Sequence, residues 1–373
     1  MNVCIVTSSY PANPDDVAAP FAADLARAIQ RRGHGVTVIA PERTGVEVSP
    51  DGVPVSWIPR HGSRKALVQT RVTSAADIWN AWRVVRDGER ALMNTVRDQR
   101  VDVVFALWAV PAGFMAWRAH RRIGVPYGVW ALGSDINTVA RYPIARTLIK
   151  SILRSARWRY ANSRLLAQRV TELAGDCGFL PAVRVLPPGP RTEVDGRVRF
   201  VFVGRFEPVK GVDVLVDAAS RLRDCAGVRV YLLGGGSLAS EISARISSER
   251  LQDRVTVVPQ PPTAVVSAYL RACDCLVIPS RSESMPVVFA EAVQAGTPVL
   301  MTDTGDLGRL ATEYDLPAAV PPGDADKLAA AMRAFAEDPA PTRRAFDDAR
   351  PRLLELFDVD ASAERLLTAF ASA

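Results

Sequence analysis

Histidine and cysteine are scarce and scattered in this chain of 373 residues. The three histidines, His34, His61 and His120, lie far apart and have no metal-ligand spacing with the five cysteines, Cys4, Cys177, Cys225, Cys273 and Cys275, so no metal is expected. An odd number of dispersed cysteines in a protein of this size needs no disulfide framework, and Cys273-Asp274-Cys275 reads as buried free thiols beginning an apolar strand. No apolar run approaches the length of a membrane span, and residues 1 to 9 read as a strand rather than a leader. The expectation is a cytoplasmic protein. Lysine is nearly missing as well. Only four of the 46 basic residues are Lys, which argues against a phosphate-tracking surface, so no nucleic-acid partner is expected despite a net charge of +6.

What is present is ordinary for an α/β enzyme, at 48% hydrophobic and 23% charged residues, and the chain is long enough for two domains with separate cores. Strands are expected near residues 3 to 7, 36 to 40, 53 to 58, 101 to 106, 127 to 131 and 183 to 186 in the first half. In the second they are expected near 198 to 203, 228 to 233, 254 to 258, 274 to 278 and 297 to 300. Helical patterns lie between them, which predicts parallel sheets covered on both faces. The stretch Pro187-Pro-Gly-Pro190 and the polar residues up to Gly196 read as a linker. The domains are therefore drawn at 1–190 and 191–357, with tail helices near 324–337, 341–356 and 360–371 interrupted at Pro339, Pro341 and Pro351.

The most informative stretch is Ser280-Arg-Ser-Glu-Ser-Met-Pro-Val-Val-Phe-Ala-Glu291. Glu283 and Glu291 are eight positions apart, one before a helix and one about a turn inside it. Pro286 suits a first turn, where a missing N–H costs nothing, and the free N–H groups there can hold an anion. A phosphate on the helix start with carboxylates accepting from hydroxyls is the geometry a sugar nucleotide asks for. An acidic pair that merely complements the helix dipole would leave the same trace.

A second segment runs Phe200-Val-Phe-Val-Gly-Arg-Phe-Glu-Pro-Val-Lys-Gly211, an apolar strand entering a glycine turn with a helix beginning near Gly211. Arg205 and Lys210 thus sit on a strand-to-helix loop, where open α/β sheets bind ligands. Two cations there suit a diphosphate, and either alone could be a surface charge.

In this order, about 80 residues apart, the two segments resemble the retaining glycosyltransferases of family 4. The resemblance implies an α/β protein of the GT-B fold, two doubly wound Rossmann-like domains facing across a cleft, with a C-terminal helix about 358–373 crossing back onto the first. It implies a metal-independent hexosyltransferase-type enzyme with a nucleotide-diphosphate sugar as co-substrate and no bound cofactor. Gly204, Arg205 and Lys210 look like the family's phosphate loop, and Glu283 to Glu291 like its E-x7-E motif. By that likeness Arg205 and Lys210 neutralise the leaving diphosphate, Glu283 holds sugar hydroxyls and Glu291 the ribose. The donor also meets Ser284, Met285, Pro286, Val287 and Val288, with Pro286 unable to donate. The acceptor would be a glycan, a lipid-linked group or a small molecule.

The first half carries family-like pieces as well. Thr7-Ser-Ser-Tyr10-Pro11 ends the opening strand, and the loop behind it is similar to one that faces the cleft in family members. Where many have a Gly-Gly pair this chain has Ala18-Ala19. Leu107-Trp108-Ala-Val-Pro-Ala-Gly113 and Trp130-Ala-Leu-Gly-Ser-Asp135 follow apolar strands, and the second resembles a motif whose histidine is here Leu132. Asp135 could bind a hydroxyl or cap the next helix. Trp108 could stack on a sugar, while Trp130 suits the core. Gly234-Gly-Gly-Ser237 reads as a turn and helix cap. His34 is expected to end a helix rather than act in catalysis.

Charge is divided unequally, with 25 Lys plus Arg against 14 Asp plus Glu in residues 1–190 and 21 against 26 in 191–373. Arg146, Lys150, Arg154 and Arg157 recur at helical spacing opposite Leu148, Ile149, Ile152 and Leu153, and Trp79, Trp82, Arg83, Val85, Arg86 and Arg90 form a second basic stretch. Such helices suit an anionic membrane surface at its inner face, or pack their apolar sides on the sheet and leave a solvated basic rim. Two other functions share these features. One is a non-catalytic sugar-nucleotide binder, the other an epimerase or phosphorylase of the same fold.

Overall fold

The computed structural model describes residues 1–13, 16, 18–43, 52–59, 75–190 and 192–372, with the side chains of 75–78 excepted. His61 and residue 191 of the expected linker lie outside the described residues. The chain forms two compact units, Met1–Val183 with Asp358–Ala373, and Arg184–Phe357. Pro187-Pro-Gly-Pro190 thus belongs to the second unit.

The first unit runs β1 (Asn2–Thr7), α1 (Pro20–Arg31), β2 (Gly35–Pro41), β3 (Val55–Ile58), α2 (Ala75–Asp98), β4 (Val103–Leu107), α3 (Ala112–Ile123) and β5 (Tyr127–Ala131). It continues through α4 (Ser134–Asn137), α5 (Pro143–Ser155), β6 (Trp158–Ala161), α6 (Arg164–Ala174) and β7 (Gly178–Phe179). Its seven-stranded sheet is ordered β3-β2-β1-β4-β5-β6-β7, and every pair is parallel. The middle strand β4 reads VVFAL and is buried at every position, as a strand covered by helices on both faces must be. In register, Val3 faces Val103 and Leu107 faces Trp130, so the loops after β1, β4 and β5 emerge at one edge.

The second unit contains β8 (Val198–Val203), α7 (Val212–Ser220), β9 (Val228–Gly234), α8 (Ala239–Ser248), β10 (Val255–Pro259), α9 (Thr263–Ala272), β11 (Cys275–Ile278), α10 (Val287–Ala295) and β12 (Val299–Met301). Helices α11 (Leu307–Glu313), α12 (Ala325–Glu337) and α13 (Ala340–Leu356) complete it, and α14 (Val359–Ala371) returns to the first unit. The sheet order is β10-β9-β8-β11-β12, again wholly parallel. The reversal of winding falls between β8 and β11, which places the loops after these two strands at the switch point where doubly wound sheets bind ligands.

Helix α14 packs on α1, and Arg31 and Arg32 both reach Asp360. Its Phe370 sits 5.7 Å from the ring of Phe105 and 4.8 Å from that of Trp158, whose Nε1 donates to Ala369 O at 3.1 Å. Burying a ring of that size is worth about 2 kcal/mol before its pairing is counted, which fixes the helix on the sheet.

Several expectations need correction. Residues 183 to 186 form no strand, because Leu186 N donates to the Gln294 side chain at 2.8 Å and the same amide donates to Arg184 O at 2.7 Å. Backbone groups taken by a side chain cannot join a ladder. The sheet continues instead through β6 to the edge strand β7, short strands that the sequence pattern does not announce. Gly33, at φ 78°, closes α1 by donating to Gln30 O, so His34 lies beyond the helix end. Pro351 does not break α13, whose buried Phe346, Ala349 and Leu353 form one face and whose packing partner is α10. On α5, Ile149, Ile152 and Leu153 are fully buried in the core and Leu148 packs beside them, so that apolar face is not a surface. Among the described residues no helix is long and apolar enough to cross a membrane.

Candidate active site

The loop after β8 is built to expose charge while anchoring backbone. Gly204 N donates to Leu233 O at 3.0 Å and Phe206 N to Gly235 O at 2.8 Å, while the Phe206 ring is buried. The next strand's turn must therefore come very close. A Cβ on Gly234 would lie 1.9 Å from Gly204 O, and one on Gly236 would lie 2.6 Å from Phe206 O, so only glycine fits either place. Gly234 to Ser237 is thus a packing device for the neighbouring loop. Glu207 accepts from Ser237 Oγ at 2.7 Å and from Ser237 N at 3.2 Å, and these bonds hold its carboxyl below the usual range. Arg205 is exposed beside it.

One turn on, Pro208–Lys210 forms a 3-10 turn closed by Gly211 at φ 66°. This turn aims the Lys210 ammonium at Glu283, with which it makes a short ion pair. Glu283 also accepts from Ser280 Oγ at 2.9 Å, and its own N–H donates to Thr304 Oγ1 at 3.2 Å. Beneath that loop, Thr302 Oγ1 donates to Ser280 O at 2.6 Å and Asp306 N to Ser284 O at 3.1 Å. The segment after β12 thus braces the acidic loop, a role nothing local in Thr302-Asp-Thr-Gly-Asp306 announces. Arg281 is turned outward, bound by both nitrogens to Asp213 on α7.

A small recess at the carboxyl end of the sheet is lined by Phe202, Lys210, Ser280, Glu283, Pro286 and Val288 among others. Pro286 is the N-cap of α10, at φ −72° and ψ 129°, so Val287 and Val288 supply the first-turn N–H groups. Met285 is buried and Ser284 half-buried. Lys210 and Glu283 are therefore brought together with the helix start. Arg205 and Glu291 do not line this recess.

Glu291 lies on α10, 3% exposed, and accepts from Arg184 Nη1 at 3.1 Å. The same guanidinium contacts Thr263 Oγ1 on α9. A buried carboxylate needs such a partner. Arg184 is the partner of Glu291 that sequence reasoning missed, since it is 107 residues away.

The loops of the first unit are ordered by Asp135. It is 1% exposed, and its carboxylate accepts from Ala109 N at 2.8 Å, Gly133 N at 3.1 Å and Ile136 N at 3.1 Å. Burial raises its pKa, and the backbone N–H groups donating to the carboxylate oppose the rise. Asp135 therefore ties the β4 loop to the start of α4 and is no exposed hydroxyl-binding group. Replacing it by Ala leaves three buried N–H donors unpaired. Urea unfolding should show a loss of about 3 kcal/mol, with Asp135→Asn intermediate, because the amide oxygen keeps part of the bonding.

Tyr10 is likewise buried, 1% exposed and edge-on to Trp57 at 6.4 Å, so it packs the core rather than presenting a hydroxyl for an acceptor. Its neighbours along the loop are small, which lets the ring turn inward. Trp108 remains half-buried, at φ 72° and 6.2 Å from Phe21. Trp130 is in the core, as its sequence context suggests, and donates to Leu180 O at 3.0 Å. Leu132 is half-buried. Ala19 adopts the left-handed region, φ 49° and ψ 50°, as the N-cap of α1, the conformation a glycine would take there freely. The five cysteines are free, and burial pushes the thiols of Cys4, Cys177 and Cys273 up to about 12. Among the described residues no group of three or more His, Cys, Asp or Glu side chains could hold a metal ion.

Two doubly wound units, one with a cation and a carboxylate meeting at its switch point, have the architecture of the GT-B fold. The matches to known families are specific: residues 18–189 match the Glycosyl transferase 4-like domain and residues 190–352 match Glycosyl transferases group 1. The chain belongs to this glycosyltransferase family. It is 25% identical over 394 residues to TuaC of Bacillus subtilis, a glycosyltransferase provisionally assigned to teichuronic acid biosynthesis, covering 98% of this chain and 97% of that one. It is 34% identical over 229 residues to the D-inositol 3-phosphate glycosyltransferase of Nocardia farcinica, a match spanning 54% of this chain and about half, 48%, of that relative's length. Among solved structures, sucrose-phosphate synthase from Thermosynechococcus elongatus superposes with a TM-score of 0.79 at 19% identity, over 100% of this chain and 99% of that one. HepE of Anabaena, solved with UDP-glucose, superposes at 0.76 and 16% identity over the whole of both chains. These two likenesses concern the fold.

Proposed function

We propose that this protein transfers a glycosyl group from a nucleotide-diphosphate sugar to an acceptor, with retention at the anomeric carbon and without a metal. The observation that carries the reading is the Lys210 ammonium meeting Glu283 in a recess at the carboxyl end of the second sheet, against the first turn of α10. The diphosphate lies against Arg205, Lys210 and the N–H groups of Val287 and Val288, and the two cations offset leaving-group charge. Glu283, its carboxylate already oriented by Ser280, accepts from sugar hydroxyls. Glu291 accepts from the ribose, and Trp108 offers a half-buried ring to a sugar face.

With no side chain cast as nucleophile, the acceptor oxygen bonds to the anomeric carbon on the face from which the phosphate oxygen departs. That departing oxygen takes the acceptor's proton, so positioning and charge stabilisation supply the acceleration. The acceptor is a glycan, a lipid-linked group or a small molecule. Five free cysteines suit a reducing cytoplasm.

The experiment is thermal stabilisation by UDP-, GDP- and ADP-sugars, with UDP compounds first because HepE is solved with UDP-glucose. One nucleotide series should raise the midpoint by about 5 °C at a hundred times its Kd. Anomeric configuration read by NMR on the product, with and without EDTA, tests retention and metal independence. No shift with any series, or activity abolished by EDTA, overturns the corresponding part.

A further inference from the structure

Helices α2, α3 and α5 form one layer on the first sheet, since α2 packs on α3 and α3 on α5, while α1 and α14 pack together elsewhere. Each of the three runs back to the start of the next parallel strand, α2 to β4, α3 to β5 and α5 to β6, so each begins toward the edge where the strands end. Toward the starts of these neighbours lie large apolar groups left wholly or partly in solvent. On α2, Trp79 and Trp82 are 58% and 47% exposed and stack on each other at 5.0 Å. At the start of α5, Tyr142 is 69% and Ile144 89% exposed. On α3, Phe114 and Trp117 are only partly covered.

Behind this aromatic edge the layer is basic. Arg118, Arg121 and Arg122 on α3 and Arg146, Lys150 and Arg154 on α5 are six cations on two helices that contain no Asp or Glu. Arg86 lies over Trp82 at 5.2 Å and Arg121 over Trp117 at 5.2 Å, so the guanidinium groups start directly beside the rings. The acidic residue of α2 that faces α3, Glu89, is buried and paired with Arg118 and Arg122.

An exposed Ile on one helix and a stacked, exposed Trp pair on another are unfavourable in water and stay on a surface only where something covers them. Aromatics in front of a belt of arginines, with no carboxylate among those of α3 and α5, match the boundary between acyl chains and anionic head groups. We propose that this end of the α2, α3 and α5 layer docks on an anionic lipid bilayer, with Trp79, Trp82, Tyr142 and Ile144 entering the interface and the arginines meeting lipid phosphates behind them. The surface rests on the packing of the first unit alone. It stands or falls independently of the donor chemistry proposed above, and it would bring an acceptor held in that bilayer to the edge from which the β4 and β5 loops emerge.

The test is sedimentation of the full chain with vesicles of phosphatidylcholine alone and of phosphatidylcholine with an equal part of phosphatidylglycerol, with tryptophan emission recorded alongside. Partitioning onto the anionic vesicles should exceed that onto the neutral ones by at least about tenfold, fall steeply at high salt, and shift emission to the blue. The exposed triple change Trp79→Ser, Trp82→Ser and Ile144→Ser should lower it by about tenfold with thermal unfolding unchanged. The pair Arg146→Glu and Lys150→Glu should do the same with all the aromatics intact. Equal binding to both vesicle types, no binding, or full binding by the serine variant overturns the proposal. Displacement by a soluble polyanion that binds the serine variant as tightly as the parent also overturns it, by making the surface a site for acidic glycans.

Discussion

Lys210→Met lowers kcat/KM for sugar transfer by about a thousandfold while leaving the thermal midpoint nearly unchanged, the size expected when one preorganised charge is withdrawn from a leaving group. A factor of that size corresponds to about 4 kcal/mol in the transition state. The stem of Lys210 keeps its place in the turn after Pro208, so packing is conserved and only the charge is lost. Glu283 then loses its cation but keeps the Ser280 hydroxyl, and the loop remains braced by Thr302 and Thr304. Glu283→Gln acts differently, because an amide still reaches sugar hydroxyls while the ion pair is gone. Its effect should fall more on KM. Steady-state kinetics on both variants check the pair, and a Lys210→Met enzyme within tenfold of the parent would remove the charge from the mechanism.

Gly211→Ala unfolds far more easily than a methyl addition at a glycine with open space around it. The residue sits at φ 66°, and a Cβ there would come within 2.0 Å of Pro279 O. Both the left-handed conformation and the clash count against it, and neither can be relieved cheaply, because Pro279 O is backbone at the root of the acidic loop. Gly323→Ala supplies the comparison. It also lies at positive φ, 81°, but nothing is within 4 Å of its added carbon. The first change should lose at least about 3 kcal/mol and the second about 1 kcal/mol, the conformational part alone. Equal losses in urea unfolding would mean that the close approach of the two loops contributes nothing.

The two loops that bring Lys210 to Glu283 are legible in the sequence because each is local, whereas the absence of Arg205 and Glu291 from their recess is not. Gly204 to Gly211 is one strand-to-helix turn, and Glu283 to Glu291 is one loop-to-helix junction, so residue type and spacing carry the information. The partnerships between them are not local. Arg184 reaches Glu291 and Thr263 across most of a domain, and the same region's pairing with Gln294 is what denies residues 183 to 186 a place in the sheet. Tyr10 and Asp135 carry groups that chemistry would use, and burial decides otherwise. Depth depends on the sheet's packing and on the turn of each loop, which motif spacing does not encode. The basic helices show the same division. Their periodicity marks an apolar face on α5 that the core takes, while the residues left in solvent, Tyr142 and Ile144, fall outside that period.

The return of α14 to the first unit has a consequence for how the molecule is made. Phe105 and Trp158 belong to the sheet that emerges first from the ribosome, yet the ring that closes over them, Phe370, is separated from Val183 by the whole of Arg184–Phe357. The earlier half must wait, partly open, through the synthesis of the later one, and a stall in translation anywhere in that interval leaves an aromatic seam bare to chaperones and proteases.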